Sequence, residues 1–111
     1  GAMFGRCVYF AEESSKADEY AEDALGSSSP PLCCMLLCRV VCGEIFRVHE
    51  ARTHIERNLD RGRFDSVLGD FKATRGTYRE IAVPDATHAY PEYAILYRRA
   101  YTAGSAAPRL V

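Results

Sequence analysis

Residues 33 to 42 read CCMLLCRVVC, and two periodicities fit them. Cys34, Cys38 and Cys42 recur at intervals of four, which lays a stripe along a helix. In an extended chain, one face would hold Cys34, Leu36, Cys38, Val40 and Cys42. The segment lies between Pro30-Pro31 and Gly43, and that length fits a buried strand at least as well as a helix. Periodicity alone leaves both open.

The flanking sequence narrows the fold class. Val8-Tyr9-Phe10 has strand chemistry but is short. Ser15 is placed to cap a helix, with Asp18 three positions on. Ala17, Tyr20, Ala21, Ala24 and Leu25 then form one helical stripe that Gly26 ends. Residues 27–31 are a Ser-Pro connection. From Phe46 to Arg63, Arg47, Arg52, Arg57, Arg61 and Arg63 alternate with Glu50, Glu56 and Asp60, which reads as a solvated loop. Ser66 to Asp70 is a short extended piece. Thr77 to Val83 is a strand stopped by Pro84-Asp85, and Tyr90 to Tyr97 is another, with Pro91 favouring an edge or strand entry. Ala103 to Val111 reads as a frayed or disordered tail. One helix after a first strand, then several strands, predicts an α+β fold with an antiparallel or mixed sheet.

The 111 residues suffice for one small domain with one core. A net charge of −1 gives no basic field for nucleic acid. No apolar run reaches the length of about 18 residues that a membrane span needs. Five cysteines, four of them within residues 33–42, make a poor disulfide framework and suit free thiols in the cytosol or nucleus.

Several constellations yield to plainer readings. His49 and His54 are five apart, not the four that would aim both at one zinc ion, so they read as exposed loop histidines. The cysteine run lacks paired Cys-x-x-Cys ligands and reads as buried structural thiols rather than a metal centre. Acids near the arginines of residues 47–63 cancel a phosphate-binding field. Glu80 and Glu92 each sit in an apolar, tyrosine-flanked strand; composition alone favours the solvent face for both.

Taken in order, Gly5 to Glu12, Ser14-Ser15-Lys16 with Tyr20, Met35 to Gly43, Asp65 to Gly69, Tyr78 to Ile81 and Ala89 to Tyr93 form a series. Each piece is weak alone. Their order and spacing resemble the second half of the catalytic domain of the poly(ADP-ribose) polymerase (PARP) family, in its tankyrase-like and mono-ADP-ribosylating branches. The resemblance implies a partial ADP-ribosyltransferase fold over residues 1–102, with 103–111 a disordered tail. It implies NAD+ as co-substrate, no metal, an acceptor protein (possibly the chain itself) as partner, and no membrane or nucleic-acid partner. It makes Leu36 to Val41 a central strand.

The implied site is specific. Tyr9 resembles the tyrosine, and Glu80 the glutamate, of the family's His-Tyr-Glu triad; these two are the expected catalytic residues. Tyr20 resembles the residue that stacks on nicotinamide. Phe10, Ala11, Ser15, Lys16 and Ala17 complete the expected co-substrate contacts. Glu92 matches a structural Tyr-Pro-Glu-Tyr strand instead. There are departures. The triad histidine belongs to a His-Gly-Ser/Thr motif upstream of Tyr9, whereas His49, His54 and His88 all lie downstream. Cys7 stands where the family usually has glycine, and Ala17 where it has a serine whose hydroxyl bonds the carboxamide. The resemblance therefore predicts a transferase domain fragment of weak or absent activity in isolation. The alternative is an inactive relict that serves as a binding or scaffold module.

Overall fold

The structure of the chain is a computed structural model that describes residues 4–26, 30–50, 62–101 and 108–110. Val8 to Ala11, Ser66 to Asp70 and Arg79 to Val83 are short runs rich in residues that pack well on a pleated surface. They form β1 (Val8–Ala11), β4 (Ser66–Asp70) and β5 (Arg79–Val83). With β3 (Ile45–Val48) they make one four-stranded mixed sheet in the order β1-β5-β4-β3. The β3–β4 pair is parallel and the other two pairs are antiparallel. A second sheet is an antiparallel ribbon of β2 (Cys33–Val40) and β6 (Ala89–Tyr97). A third pairs β7 (Arg99–Tyr101) with β8 (Pro108–Leu110). Among the described residues, two α-helices of five residues each, α1 (Ser14–Asp18) and α2 (Phe71–Arg75), complete a mostly β architecture.

The core lies on one face of the four-stranded sheet. Phe4, Val48, Val67, Phe71 and Ala82 are buried together, with Cys7, Tyr9, Phe46 and Phe64 packed against them. Gly69 is required there: a Cβ would lie 2.6 Å from Phe4 Cζ and 3.0 Å from Phe71 Cε2. The missing side chain lets two stacked rings, 6.2 Å apart at their centroids, lie over the strand.

The other face carries a row of alternating charge. Glu12 pairs with Arg79, and Arg47 with Asp70. Asp70 is buried, ends β4, and caps α2 by accepting the Ala73 amide at 3.1 Å. The Arg47 guanidinium holds its carboxyl below the usual carboxylate range, burial opposes, and the Ala73 amide assists Arg47. A depressed folded pKa stabilises the fold above the unfolded pKa, near 4 for aspartate. That contribution is lost as pH falls through the lower folded value. Asp70→Asn, which can still cap, is expected to melt below the wild type at pH 7, with the gap closing on acidification below about pH 4. A gap independent of pH would show that the charge of Asp70 does not stabilise the fold.

Several expectations need correction. The helix expected from Ser15 to Gly26 stops at Asp18; its N-cap is Glu13, and no side-chain bond caps it. The stripe beyond has nothing to bury against: Tyr20 and Leu25 are exposed. Short helices depend on such burial. Asp23 Oδ1 instead accepts the Leu25 and Leu32 amides, a local alternative to helix. The charged segment expected to be a loop from Phe46 contains β3, because Phe46 and Val48 alternate onto the core face. Arg52, His54, Glu56, Arg57, Asp60 and Arg61 lie outside the described residues. CCMLLCRVVC is a strand, but among the described residues it pairs only with β6 and is not central. Of its thiols only Cys33 is buried, and Cys34 is exposed. Leu36, Leu37, Tyr93, Ile95 and Leu96 of the ribbon are exposed too. A bulge after Leu37 skips Glu92, which accepts a bond from Arg39 Nη2 at 2.5 Å. Part of the tail expected to be disordered, Pro108–Leu110, is β8.

Candidate active site

Glu80 and Ala82 alternate onto the core face of β5. Across the ladder Glu80 lies opposite Ala11 on one side and Gly69 on the other, and Ala82 lies opposite Tyr9 and Val67. Cross-strand partners share a face, so Tyr9 and Glu80 are diagonal neighbours on the same side of the sheet. Glu80 is 7% exposed, a correction to the solvent face that composition favours. Among the described residues, no hydrogen bond reaches its carboxylate. It is not fully sealed either: the one fully enclosed, unpartnered side-chain polar atom among the described residues is Ser66 Oγ. A carboxylate so placed is costly to desolvate and remains open to an incoming donor.

Tyr9 presents its ring rather than its hydroxyl. The hydroxyl donates to the Gly5 carbonyl at 2.7 Å and accepts the Phe4 amide at 3.0 Å. The ring stacks on Phe4 with centroids 6.1 Å apart. Gly5 has φ +94°, a left-handed turn that suits glycine and brings this loop back over Tyr9.

α1 supplies the second group. The Lys16 ammonium lies 5.6 Å from the Tyr20 ring centroid and 5.4 Å from that of Tyr78, within cation–π range of both. Lys16 Nζ also donates to Glu19 Oε2 at 2.9 Å. That bond raises the ammonium pKa, burial opposes it, and the neighbouring Tyr20, Glu19 and Glu80 side chains add to the rise. The field of Glu80 therefore extends to the lysine that carries Tyr20. Tyr20 itself is 74% exposed and offers an open aromatic face.

The remaining expected contacts divide. Ala11 faces Glu80 directly. Ala17 is half-buried and accepts the Tyr20 amide through its carbonyl at 3.1 Å. Ser15 is exposed in α1. Phe10 pairs with Ile81, so its side chain lies on the opposite face of the sheet from Glu80. A cavity of about 140 Å³ opens on that opposite face beside Ile45, Leu68 and Ile81; Tyr9, Tyr20 and Glu80 do not line it. Tyr78 is the residue that sequence reasoning passed over. Its signal was available: two positions before Glu80, it shares the glutamate's parity along the strand.

The face thus combines an open carboxylate, a fixed tyrosine ring and two further aromatic faces around an ammonium. It can accept a hydroxyl bond while holding a flat, electron-poor ring. A family model described as the poly(ADP-ribose) polymerase catalytic domain matches residues 1–98.

Proposed function

The chain belongs to the poly(ADP-ribose) polymerase catalytic-domain family, and on that premise we propose that the Glu80 face is a site of ADP-ribosyl transfer from NAD+ to protein. The domain is read as an ADP-ribosyltransferase fold of the tankyrase-like or mono-ADP-ribosylating branches. The observation that carries the reading is Glu80: buried, without a hydrogen bond from the described residues, and on the same face as Tyr9. Breaking the bond between nicotinamide nitrogen and ribose C1′ leaves positive charge on C1′ and the ring oxygen. A carboxylate bonded to the neighbouring 2′-hydroxyl stabilises that charge more in the transition state than in the ground state. Nicotinamide leaves with the electron pair of that bond, and the acceptor nucleophile bonds to C1′, releasing to solvent the proton of an O–H or N–H acceptor. The Tyr20 ring is proposed to stack on nicotinamide, a contact of about 0.5–2 kcal/mol. Tyr9 is proposed to back the ribose.

Ala17 favours a second reading, a module that binds NAD+ or a partner without transfer. The lost hydroxyl bond would weaken NAD+ by about 0.5–1.5 kcal/mol. Incubation with adenylate-labelled NAD+ separates the two. Transfer predicts covalent label on protein and stoichiometric free nicotinamide. Saturable nicotinamide binding without label supports the binding module. Neither label nor binding overturns both transfer and NAD+ binding and leaves only a partner-binding module.

A further inference from the structure

We propose that Arg99 is a positioning residue: its guanidinium clamps the backbone on both sides of Tyr20 and so fixes the face offered to nicotinamide. The inference rests on the stacking role proposed for Tyr20 and extends it to a residue outside the family match, which ends at residue 98.

α1 ends at Asp18, and the chain then continues in tight i→i+3 turns. Glu19 N–H donates to the Lys16 carbonyl at 3.2 Å, Tyr20 N–H to Ala17 at 3.1 Å and Ala21 N–H to Asp18 at 3.1 Å. So short a helix has little stability of its own, and single i→i+3 bonds carry it past Asp18. Tyr20 is exposed, so side-chain packing does not hold this turn.

Arg99 supplies the missing restraint. Its Nε donates to both carboxylate oxygens of Asp18 at 2.9 Å. Its Nη2 donates to the Asp18 carbonyl at 2.8 Å and the Ala21 carbonyl at 3.0 Å. The Tyr97 hydroxyl adds a second donor to Asp18 Oδ1, at 2.5 Å. One planar cation thus grips the carbonyls that bracket Tyr20, while the buried Asp18 carboxylate orients the cation. A positive charge at a helix C-terminus is favourable in itself. Only a guanidinium has the fixed fork that serves a carboxylate and two carbonyls together. Burial, and then the Asp18 bond, push the Tyr97 hydroxyl up to about 12, so it stays a donor at every working pH. Arg99 reaches neither the Tyr20 ring nor Glu80; it acts through the backbone.

The test uses the 111-residue chain and two readouts, amide hydrogen exchange at residues 19–21 and NMR titration with nicotinamide. Arg99→Ala is expected to speed exchange at Tyr20 and Ala21 and to weaken nicotinamide by about tenfold, the equivalent of one charge-assisted hydrogen bond. Arg99→Lys, which keeps the charge but not the fork, should fall between, and serves if the alanine variant fails to fold. In a Tyr20→Ala background, Arg99→Ala should cost less than about twofold more, because the two act through one contact. Equal affinity of wild type and both Arg99 variants would overturn the proposal. So would a tenfold loss that persists without Tyr20. A wild type that binds no nicotinamide would instead refute the proposed function, and this inference with it; exchange that still quickens would then mark a purely structural clamp.

Discussion

Glu80→Gln is expected to lower ADP-ribosyl transfer by about a hundred- to a thousandfold, the loss typical of removing one group that stabilises transition-state charge. The loss should fall on kcat, because the carboxylate bond to the 2′-hydroxyl strengthens as positive charge develops on the ribose. Nicotinamide affinity should stay within about twofold, since the stacking ring is untouched. Stability should move the other way. Glu80 is buried without a hydrogen bond from the described residues, so the wild type bears a desolvation cost that the charge of Lys16 offsets only from a distance. Glutamine has the same shape and no charge, and its melting temperature should equal or exceed that of the wild type. A variant more stable and nearly inactive would mark Glu80 as a site kept for chemistry at the expense of the fold. Transfer retained in the variant would sink the catalytic assignment. A large loss of stability would instead make Glu80 structural.

Phe4→Ala should remove much of the fold's stability. Phe4 is fully buried, stacks on both Tyr9 and Phe71, and lies over Gly69. Truncating a buried phenylalanine costs about 3–5 kcal/mol, against a total of about 5–15 kcal/mol for a typical domain. For a chain of this size that is a fall in melting temperature of roughly 15–30 °C. Phe4→Leu should recover most of it. Gly69→Ala gives an internal check. In the wild type its methyl group would meet Phe4 Cζ at 2.6 Å, and overpacking of that kind costs about 1–3 kcal/mol. With Phe4 truncated the same methyl partly fills the gap, so the double variant should lose less than the two losses added. Strict additivity would show that the ring does not sit over Gly69. Because the Phe4 amide and Gly5 carbonyl hold the Tyr9 hydroxyl, Phe4→Ala should also loosen Tyr9 where the protein remains folded.

These effects sit unevenly against what the sequence makes legible. The strands β1, β4, β5 and β6 follow from local chemistry: β-branched, aliphatic or aromatic runs, with Gly69-Asp70 at the end of β4 and Pro84-Asp85 after β5. CCMLLCRVVC stayed open because its decisive partner, β6, lies far along the chain, and a period of four is compatible with both states. The helical stripe from Ala17 to Leu25 overstated α1, since a stripe needs a surface to face and none meets it here. β3 was obscured by Arg47, which has the opposite parity to Phe46 and Val48. The pairing of Tyr9 with Glu80 came from family resemblance, whereas the burial of Glu80, opposite Gly69 in a neighbouring strand, has no signal in its own segment. Asp18 and Arg99 have no local signature; only the tertiary fold joins them.

The ladder register also governs how this molecule must assemble in time. Val8 meets Val83, and Cys33 meets Tyr97, so two of its sheets join segments that lie far apart along the chain. Such loop closures precede most of the contacts that reward them, which places the chain among slow-folding topologies. Until β6 arrives, β2 lacks its ladder partner, so its open edge and the exposed Leu36 and Leu37 are a hazard for self-association during refolding. Refolding yield should therefore fall as protein concentration rises, even under conditions where the finished fold is stable.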